Sequence, residues 1–246
     1  MEDNERYFNF PICFLPGLIT DLNATLDDIA AYAIYKHLNK HHYEYREIWF
    51  QSIPTDTLIT YLVDVADYFY YLLEDALTLY ERGKLLADSI PEKSPHCGIN
   101  IEIFYSYREG YKTDFDKACL VAFLAIKSIL GNREYCKMTN QFLISRMAGN
   151  KKVVPLDEIH PAVLKFTTEY QLNKIKVHLR SSWHLNYYAT RMRGFYVSFQ
   201  LHLKWLVRYA EEAKYSSKVK RLKALERQAI EDAGVLSLRS TTTRPK

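Results

Sequence analysis

The chain has 246 residues, of which 48% are hydrophobic and 25% are charged, so a disordered chain is excluded and a folded core is expected. Glycine is scarce, with 8 residues, which favours long helices over many short strands joined by tight turns. The longest apolar run, residues 118–126, is too short to cross a bilayer, which takes about 20 residues. The acidic first residues lack the basic start of a secretory signal. We therefore expect a cytoplasmic protein without membrane association.

No recognised catalytic or metal-binding motif is present. There is no glycine-rich phosphate loop, no H-E-x-x-H sequence and no nucleophile elbow. The adjacent pair His41 and His42 lacks the one-residue separation of a nuclease metal site. The cysteines lie far apart without C-x-x-C spacing, which predicts reduced thiols rather than a disulfide framework or a zinc finger; they are Cys13, Cys97, Cys119 and Cys136. These observations predict that the protein is not an enzyme and binds no cofactor and no metal.

The net charge of +4 conceals two oppositely charged halves. Residues 1–112 carry 9 Lys and Arg against 18 Asp and Glu, whereas residues 113–246 carry 24 against 11. A basic field attracts polyanions and accelerates encounter with them. Two interpretations remain open for the second half: a nucleic-acid-binding surface, or a solvated basic face without a partner.

The first half begins with turn residues and continues into a helix. Residues 7–22 contain two prolines and a glycine and predict extended or turn structure. Thr25 is the predicted N-cap of the helix that follows, with Asp28 three residues later as in a capping box. Apolar residues at helical spacing carry this helix to about Asn39.

A second apolar stripe extends from Leu58 to Tyr80, with a break expected near residue 67 and with Gly83 as its C-terminal cap. Residues 89–99 contain two prolines and a glycine in a short span and are the best candidate for a linker. The first half, residues 1–112, is accordingly predicted to be an acidic helical domain.

The second half starts with an apolar helix. Thr113 or Asp114 is its predicted cap, residues 115–130 are apolar around most of the circumference, and Gly131 ends it. A short segment near residue 136 precedes a second, short helix over residues 141–148. A helix that is apolar on all sides is expected to be buried.

A third helix, residues 168–183, follows an insertion over residues 150–166. Its apolar face consists of Leu172, Ile175, Leu179 and Trp183. Its two polar stripes are Gln171, Lys174 and His178 on one side and Asn173, Lys176 and Arg180 on the other. Residues 185–189 and 195–199 read as the strands of a hairpin, and its glycine-bearing loop contains Arg191 and Arg193.

The order of elements over residues 113–200 resembles a winged helix–turn–helix domain. It is a buried helix, a short strand, a short helix, a basic amphipathic helix and a basic hairpin. The resemblance implies that helix 168–183 enters the major groove of DNA. The residues that would contact DNA from this helix are Gln171, Lys174, Lys176, His178 and Arg180. Arg191 and Arg193 of the wing would meet phosphate or the minor groove. The alternative is an ordinary surface helix whose cations are only solvated.

The start of the chain is similar to that of replication-initiator and replisome-organiser proteins of plasmids and mobile elements, in the segment Phe10–Pro16 and the helix after it. That resemblance implies that the DNA-binding protein acts in replication or transcription of a mobile or phage-like element. The expected partner is DNA, duplex rather than single-stranded. The alternative function is a helical adaptor or structural protein that self-associates, or binds a protein partner, through its acidic and basic halves.

A long helix, residues 201–234, is predicted to follow the hairpin, with a flexible tail over residues 235–246. Its distal cations include Lys218, Lys220 and Arg221. They would lie along phosphates or pair with another subunit in a homodimer, or be solvated. The expected fold is therefore mainly α: a helical N-terminal region, a winged helix–turn–helix with a small β-hairpin, and a long C-terminal helix.

Overall fold

The computed structural model describes residues 6–41, 54–91, 93–189 and 194–241, and most of them are helical, as the sequence predicts. The helices are α1 (Gly17–Thr20), α2 (Leu22–His41), α3 (Thr55–Tyr68), α4 (Ala76–Ser89), α5 (Ile101–Glu109), α6 (Asp114–Leu130), α7 (Asn140–Met147), α8 (Pro161–Leu164), α9 (Glu169–Ser182) and α10 (Leu203–Thr241). The strands are β1 (Tyr7–Pro11), β2 (His96–Asn100), β3 (Cys136–Met138), β4 (Asn186–Ala189) and β5 (Phe195–Ser198). Among the described helices, none combines the length and the apolar content needed to cross a membrane.

The first sheet joins the beginning of the chain to the end of the acidic half. β1 pairs antiparallel with β2, with Phe10 opposite Cys97, and the backbone N–H of Ile12 donates to the carbonyl of Pro95. The prediction of a linker over residues 89–99 is therefore wrong for residues 96–99, because these residues belong to this sheet. The prolines and the glycine, which suggested a domain boundary, accompany a strand instead.

The second sheet has the strand order β3-β5-β4, with both neighbouring pairs antiparallel. The predicted hairpin is confirmed, since β4 and β5 pair with Tyr187 opposite Val197. Gly194 immediately precedes β5 at φ +95°, and a Cβ at this position would lie 2.6 Å from the carbonyl oxygen of Met138. Only glycine fits both that conformation and that approach to β3.

Helix α6 lies at the centre of the core. Of the two predicted caps, Thr113 is the N-cap, and it forms a capping box with Asp116. Gly131 at φ +54° caps the end of the helix, as the sequence predicts. Ten of its residues are buried, and they occur on all sides of the helix. α6 packs against α1 and β2 of the first half and against α7 and α9 of the second. A single continuous set of buried side chains therefore extends from Phe8 to Val197.

The start of α2 differs from the prediction. The helix begins at Leu22, and the carboxylate of Asp21 accepts a hydrogen bond from the backbone N–H of Ala24 at 3.1 Å. Thr25 lies inside the helix and donates its hydroxyl to the carbonyl of Asp21 at 2.7 Å. The prediction of Thr25 as N-cap is therefore wrong, because an aspartate four residues earlier satisfies the free N–H groups first.

The expected break in the second stripe is confirmed: α3 ends at Tyr68, and Asp75 caps α4 by accepting from the N–H groups of Leu77 and Thr78. Gly83 does not end this stripe but lies buried in the middle of α4. A Cβ on Gly83 would lie 2.4 Å from the carbonyl oxygen of Ala31 in α2. Glycine therefore permits close packing of α4 on α2, which hydrophobic periodicity alone does not reveal.

The insertion between α7 and α9 is folded onto the core rather than extended. It contains a short 3-10 helix, Leu156–Glu158, and then α8, and it buries Val163 and Phe166. The last helix, α10, packs on β4 and β5 through Leu206 and Ala210, which are fully buried. α10 continues past Gly234, where the sequence predicts its end, so part of the predicted tail is helical.

We expect Gly83→Ala to destabilise the protein by about 1–3 kcal/mol, because the added methyl group would force α4 away from α2. This cost opposes a gain in helix propensity of about 1 kcal/mol. Urea unfolding followed by circular dichroism measures the change. Lys84→Ala, at the exposed neighbouring position, is the control and should be close to neutral; equal stability of the two variants would contradict the close packing.

Candidate nucleic-acid interface

Helix α9 is held on α6 by one apolar face and leads directly into the hairpin. Leu172, Ile175 and Leu179 are buried, as the sequence predicts, and Thr168 caps the helix by accepting from the N–H of Gln171. His184, at φ +55°, turns the chain between α9 and β4. The helix and the β4–β5 hairpin are therefore fixed next to each other by the core and by a short turn.

The outward face of α9 carries a mixed stripe of side chains. Tyr170 and Val177 are 73% and 59% exposed, and Asn173 and Arg180 are exposed between and beyond them. The spacing of three, four and three residues places all four on one side of a helix. Sequence reasoning singled out the polar members but missed Tyr170 and Val177, although their seven-residue separation was a signal that they share a face.

The predicted stripe of Gln171, Lys174 and His178 leans towards the start of α6. The ammonium of Lys174 lies 4.5 Å from the ring centroid of Phe115, and the ring of His178 meets the same ring edge-on at 5.6 Å. Gln171 and His178 are half-buried, whereas Lys174 remains exposed. Lys174 is therefore the member of this stripe most accessible to a ligand.

Carboxylates at the start of α6 moderate the positive charge of this stripe. The hydrogen bond from the Thr113 hydroxyl and the charge of nearby His178 hold the pKa of Asp116 below its ordinary value. The hydrogen bond from Lys165, with the charge of Lys117, does the same for the pKa of Asp114. The stripe therefore contributes less to a basic surface than its composition suggests.

Lys176 is buried, so its predicted position on the outer face of α9 is wrong. Only 6% of the residue is exposed, and its ammonium donates to the side-chain oxygen of Asn140 at 2.7 Å and lies 4.0 Å from the ring centroid of Phe195. Burial lowers the pKa of this ammonium. The position borders the apolar face between Leu172 and Leu179, and the long aliphatic stem carries the charge inward. Lys176 ties α9 to α7 and β5.

The remaining predicted DNA-contacting cations belong to two groups, the arginines of the hairpin loop and the distal cations of α10. Arg191 and Arg193 lie outside the described residues, between β4 and β5 in the sequence. Lys218, Lys220 and Arg221 are exposed on α10. They begin about 12 Å along the helix from the fully buried Ala210, at 1.5 Å per residue. The structure therefore joins α9 to the hairpin but leaves the distal cations as a separate group.

The exposed face of α9 offers hydrogen bonds, charge and apolar contact to a ligand.

Within the described residues, no group of three or more His, Cys, Asp and Glu side chains is placed to hold a metal. Burial raises the pKa of Cys119 to about 12 and that of Cys136 to about 11, so both remain protonated at neutral pH.

The comparisons with known proteins give no relative from which a role could be carried over. No protein-family model, no curated protein and no solved structure matches this chain. The function has to be argued from the geometry of the chain itself.

Proposed function

We propose that residues 113–200 form a winged helix–turn–helix module that binds duplex DNA, with α9 as its recognition helix. The observation that carries the proposal is the arrangement of elements in this region. A buried helix, a strand, a short helix, a second helix and a hairpin follow one another, and the hairpin strands join β3 in a sheet of order β3-β5-β4. In a winged helix, the corresponding helix and hairpin contact DNA together.

The exposed face of α9 has the chemistry needed to read base edges. The major groove is about 12 Å wide and admits one α-helix. In it, the amide of Asn173 suits the paired acceptor and donor of adenine, Arg180 suits guanine, and Val177 suits the methyl group of thymine. Tyr170, at the start of the helix, has a hydroxyl suited to a phosphate oxygen.

The surrounding cations supply affinity that does not depend on base sequence. Lys174 remains exposed beside the proposed recognition face. Arg191 and Arg193 fall in the stretch between the hairpin strands, where a wing meets phosphate or the minor groove. The excess of Lys and Arg in residues 113–246 favours duplex DNA as the partner through release of its counterions.

The biological setting that we propose is replication or transcription of a mobile or phage-like element. Its support is the resemblance between residues 10–16, with the helix after them, and the beginning of replication-initiator proteins. The buried position of Phe10 and Ile12 gives that segment a structural role in the same core as α6.

We expect Arg180→Ala and, separately, Asn173→Ala to weaken binding to the preferred duplex by about 1–3 kcal/mol and to relax the preference at one base position each. The preferred duplex is obtained by selecting from a random pool with the unaltered protein, and affinities are measured by fluorescence anisotropy.

Lys176→Met is the matched control on the same helix, since it removes a buried cation and should leave DNA affinity unchanged. Thermal melting establishes that each variant is folded. Unchanged affinity and unchanged base preference in both exposed-face variants would refute α9 as a recognition helix.

We expect the double variant Arg191→Ala, Arg193→Ala to bind random duplex more weakly and to reduce the slope of log K against log salt by about 2, because two fewer counterions are released. Fluorescence anisotropy over a series of salt concentrations measures the slope. Lys84→Ala combined with Lys93→Ala removes the same charge from exposed positions of the acidic half and should leave the slope unchanged. Equal slopes for all three proteins would contradict a wing.

A further inference from the structure

The outward face of the first sheet borders a cleft of about 620 Å³. Because Phe8, Phe10 and Ile99 point into the core, the residues that alternate with them along β1 and β2 point outward. These residues line one part of the cleft, and the start of α5 and the end of α6 line another; they include Tyr7, Asn9, Gly98, Asn100, Glu102, Lys127 and Asn132. Proteins bind small molecules in pockets of about 300–1,000 Å³, so this cavity, which we call the sheet cleft, is large enough for a ligand.

Gly98 leaves room in the sheet cleft for its neighbours. A Cβ at this position would lie 2.7 Å from the side-chain oxygen of Asn9 and 3.5 Å from a ring carbon of Tyr7. The Asn9 amide and the Tyr7 ring therefore lie over the glycine, in space that a larger residue would need. Within the described part of the chain, the side chains of Asn9 and Asn132 form no hydrogen bond, so both amides are available to a ligand.

Two of the described side chains that line the sheet cleft are ionised, and their charges are opposite. Glu102 and Lys127 are both exposed, and neither forms an ion pair with the other or with any residue that the structure describes. The ammonium of Lys127 lies 5.0 Å from the ring centroid of Phe199 and 5.7 Å from that of Phe123. These contacts hold the ammonium at the cleft and leave its N–H donors unused. The cleft therefore presents one cation and one carboxylate to a ligand.

Other basic side chains close to the sheet cleft in the chain are already engaged. His96 also lines the cleft, but its Nε2 lies 2.9 Å from the hydroxyl of Tyr32 and its Nδ1 lies 2.8 Å from the carbonyl oxygen of Ser94. Arg6, which precedes Tyr7, donates to the carbonyl of Tyr68. Arg133, which follows Asn132, donates to the carbonyl of Leu130. Lys127 is therefore the cation that remains for an anionic group in the cleft.

We propose that the sheet cleft binds a nucleoside monophosphate, with its phosphate on Lys127 and its N–H or O–H donors on Glu102. An ammonium supplies charge-assisted hydrogen bonds to phosphate, and a carboxylate only accepts, so it requires a donor such as a ribose hydroxyl or the N–H of a base. The edge of a base carries both donors and acceptors, which suit the amides of Asn9 and Asn132. The ring of Tyr7 offers the base a stacking surface.

Other small ligands match fewer of these groups. Inorganic phosphate would use Lys127 and leave Glu102 and the amides without partners. An aromatic amino acid such as tryptophan has a carboxylate for Lys127 and an ammonium for Glu102, but its largely apolar ring would cover the amides without replacing their hydrogen bonds to water, which is costly. The inference does not depend on DNA binding, and the cleft contains no glycine-rich phosphate loop from which the sequence could reveal it.

The test is isothermal titration calorimetry on nucleic-acid-free, full-length protein with AMP, GMP, the two corresponding nucleosides, inorganic phosphate and tryptophan. We expect the nucleotides to bind more tightly than the nucleosides, phosphate or tryptophan. Lys127→Ala should weaken nucleotide binding about tenfold, because it removes a charged hydrogen bond, and should leave nucleoside binding unchanged. Glu102→Gln should weaken the binding of nucleosides as well as nucleotides.

Three control variants locate the binding in the cleft. Lys117→Ala on α6 and Glu109→Gln on α5 make the same changes on the same helices away from the cleft, and both should bind nucleotides as the unaltered chain does. Arg180→Ala, on the exposed face of α9, should also leave nucleotide binding unchanged, which separates this site from the proposed DNA surface. Thermal melting establishes that each variant is folded.

Three results would overturn the proposal. They are an unaltered chain that binds neither nucleotide at millimolar concentration, a Lys127→Ala chain that binds both nucleotides with full affinity, and phosphate or tryptophan binding as tightly as the nucleotides.

Discussion

The structure depends on the complete burial of α6. Ala118, Leu120, Leu124 and Ile126 are inaccessible to solvent, although they face different directions around the helix. Full burial of each large apolar side chain stabilises the fold by about 1.5–3 kcal/mol, so this helix requires cover on every side. The acidic half provides that cover with β2 and α1, and the basic half provides it with α7 and α9. The acidic and the basic half therefore share one core, in which both pack on the same helix.

Local signals in the sequence predict the elements of the second half well, because caps, periodicity and glycine act within a few residues. Gly131 as a cap, the helix predicted over residues 168–183 and the β4–β5 hairpin were identified in this way, and the cap of α6 was narrowed to Thr113 or Asp114. Contacts between distant segments were not predictable. The pairing of residues 96–100 with the start of the chain, the close approach at Gly83 and the inward turn of Lys176 each depend on a partner far away in the sequence. Tyr170 and Val177 were missed because only polar residues were considered outside the apolar face of this helix, although their seven-residue spacing places them on one side.

The charges of the chain are arranged more finely than its composition indicates. Near α6, the carboxylates of Asp114 and Asp116 offset part of the positive charge next to α9. On α10, Lys218 and Lys220 belong to opposite sides of one helix, so cations occur on both sides of its distal part. The position of each charge, rather than the total charge of each half, therefore decides which surfaces are basic.

The pairing of β1 with β2 has a consequence for how the chain matures on the ribosome. Phe8 and Phe10 are fully buried in the finished protein, yet the strand that bears them finds its backbone partner only when residues 96–100 have left the exit tunnel. Closing so long a loop costs chain entropy before any contact repays it, which slows this step relative to the local helices. Until then, two aromatic side chains near the N-terminus remain open to chaperones. Strand β1 is therefore secured only after most of the acidic half has been synthesised.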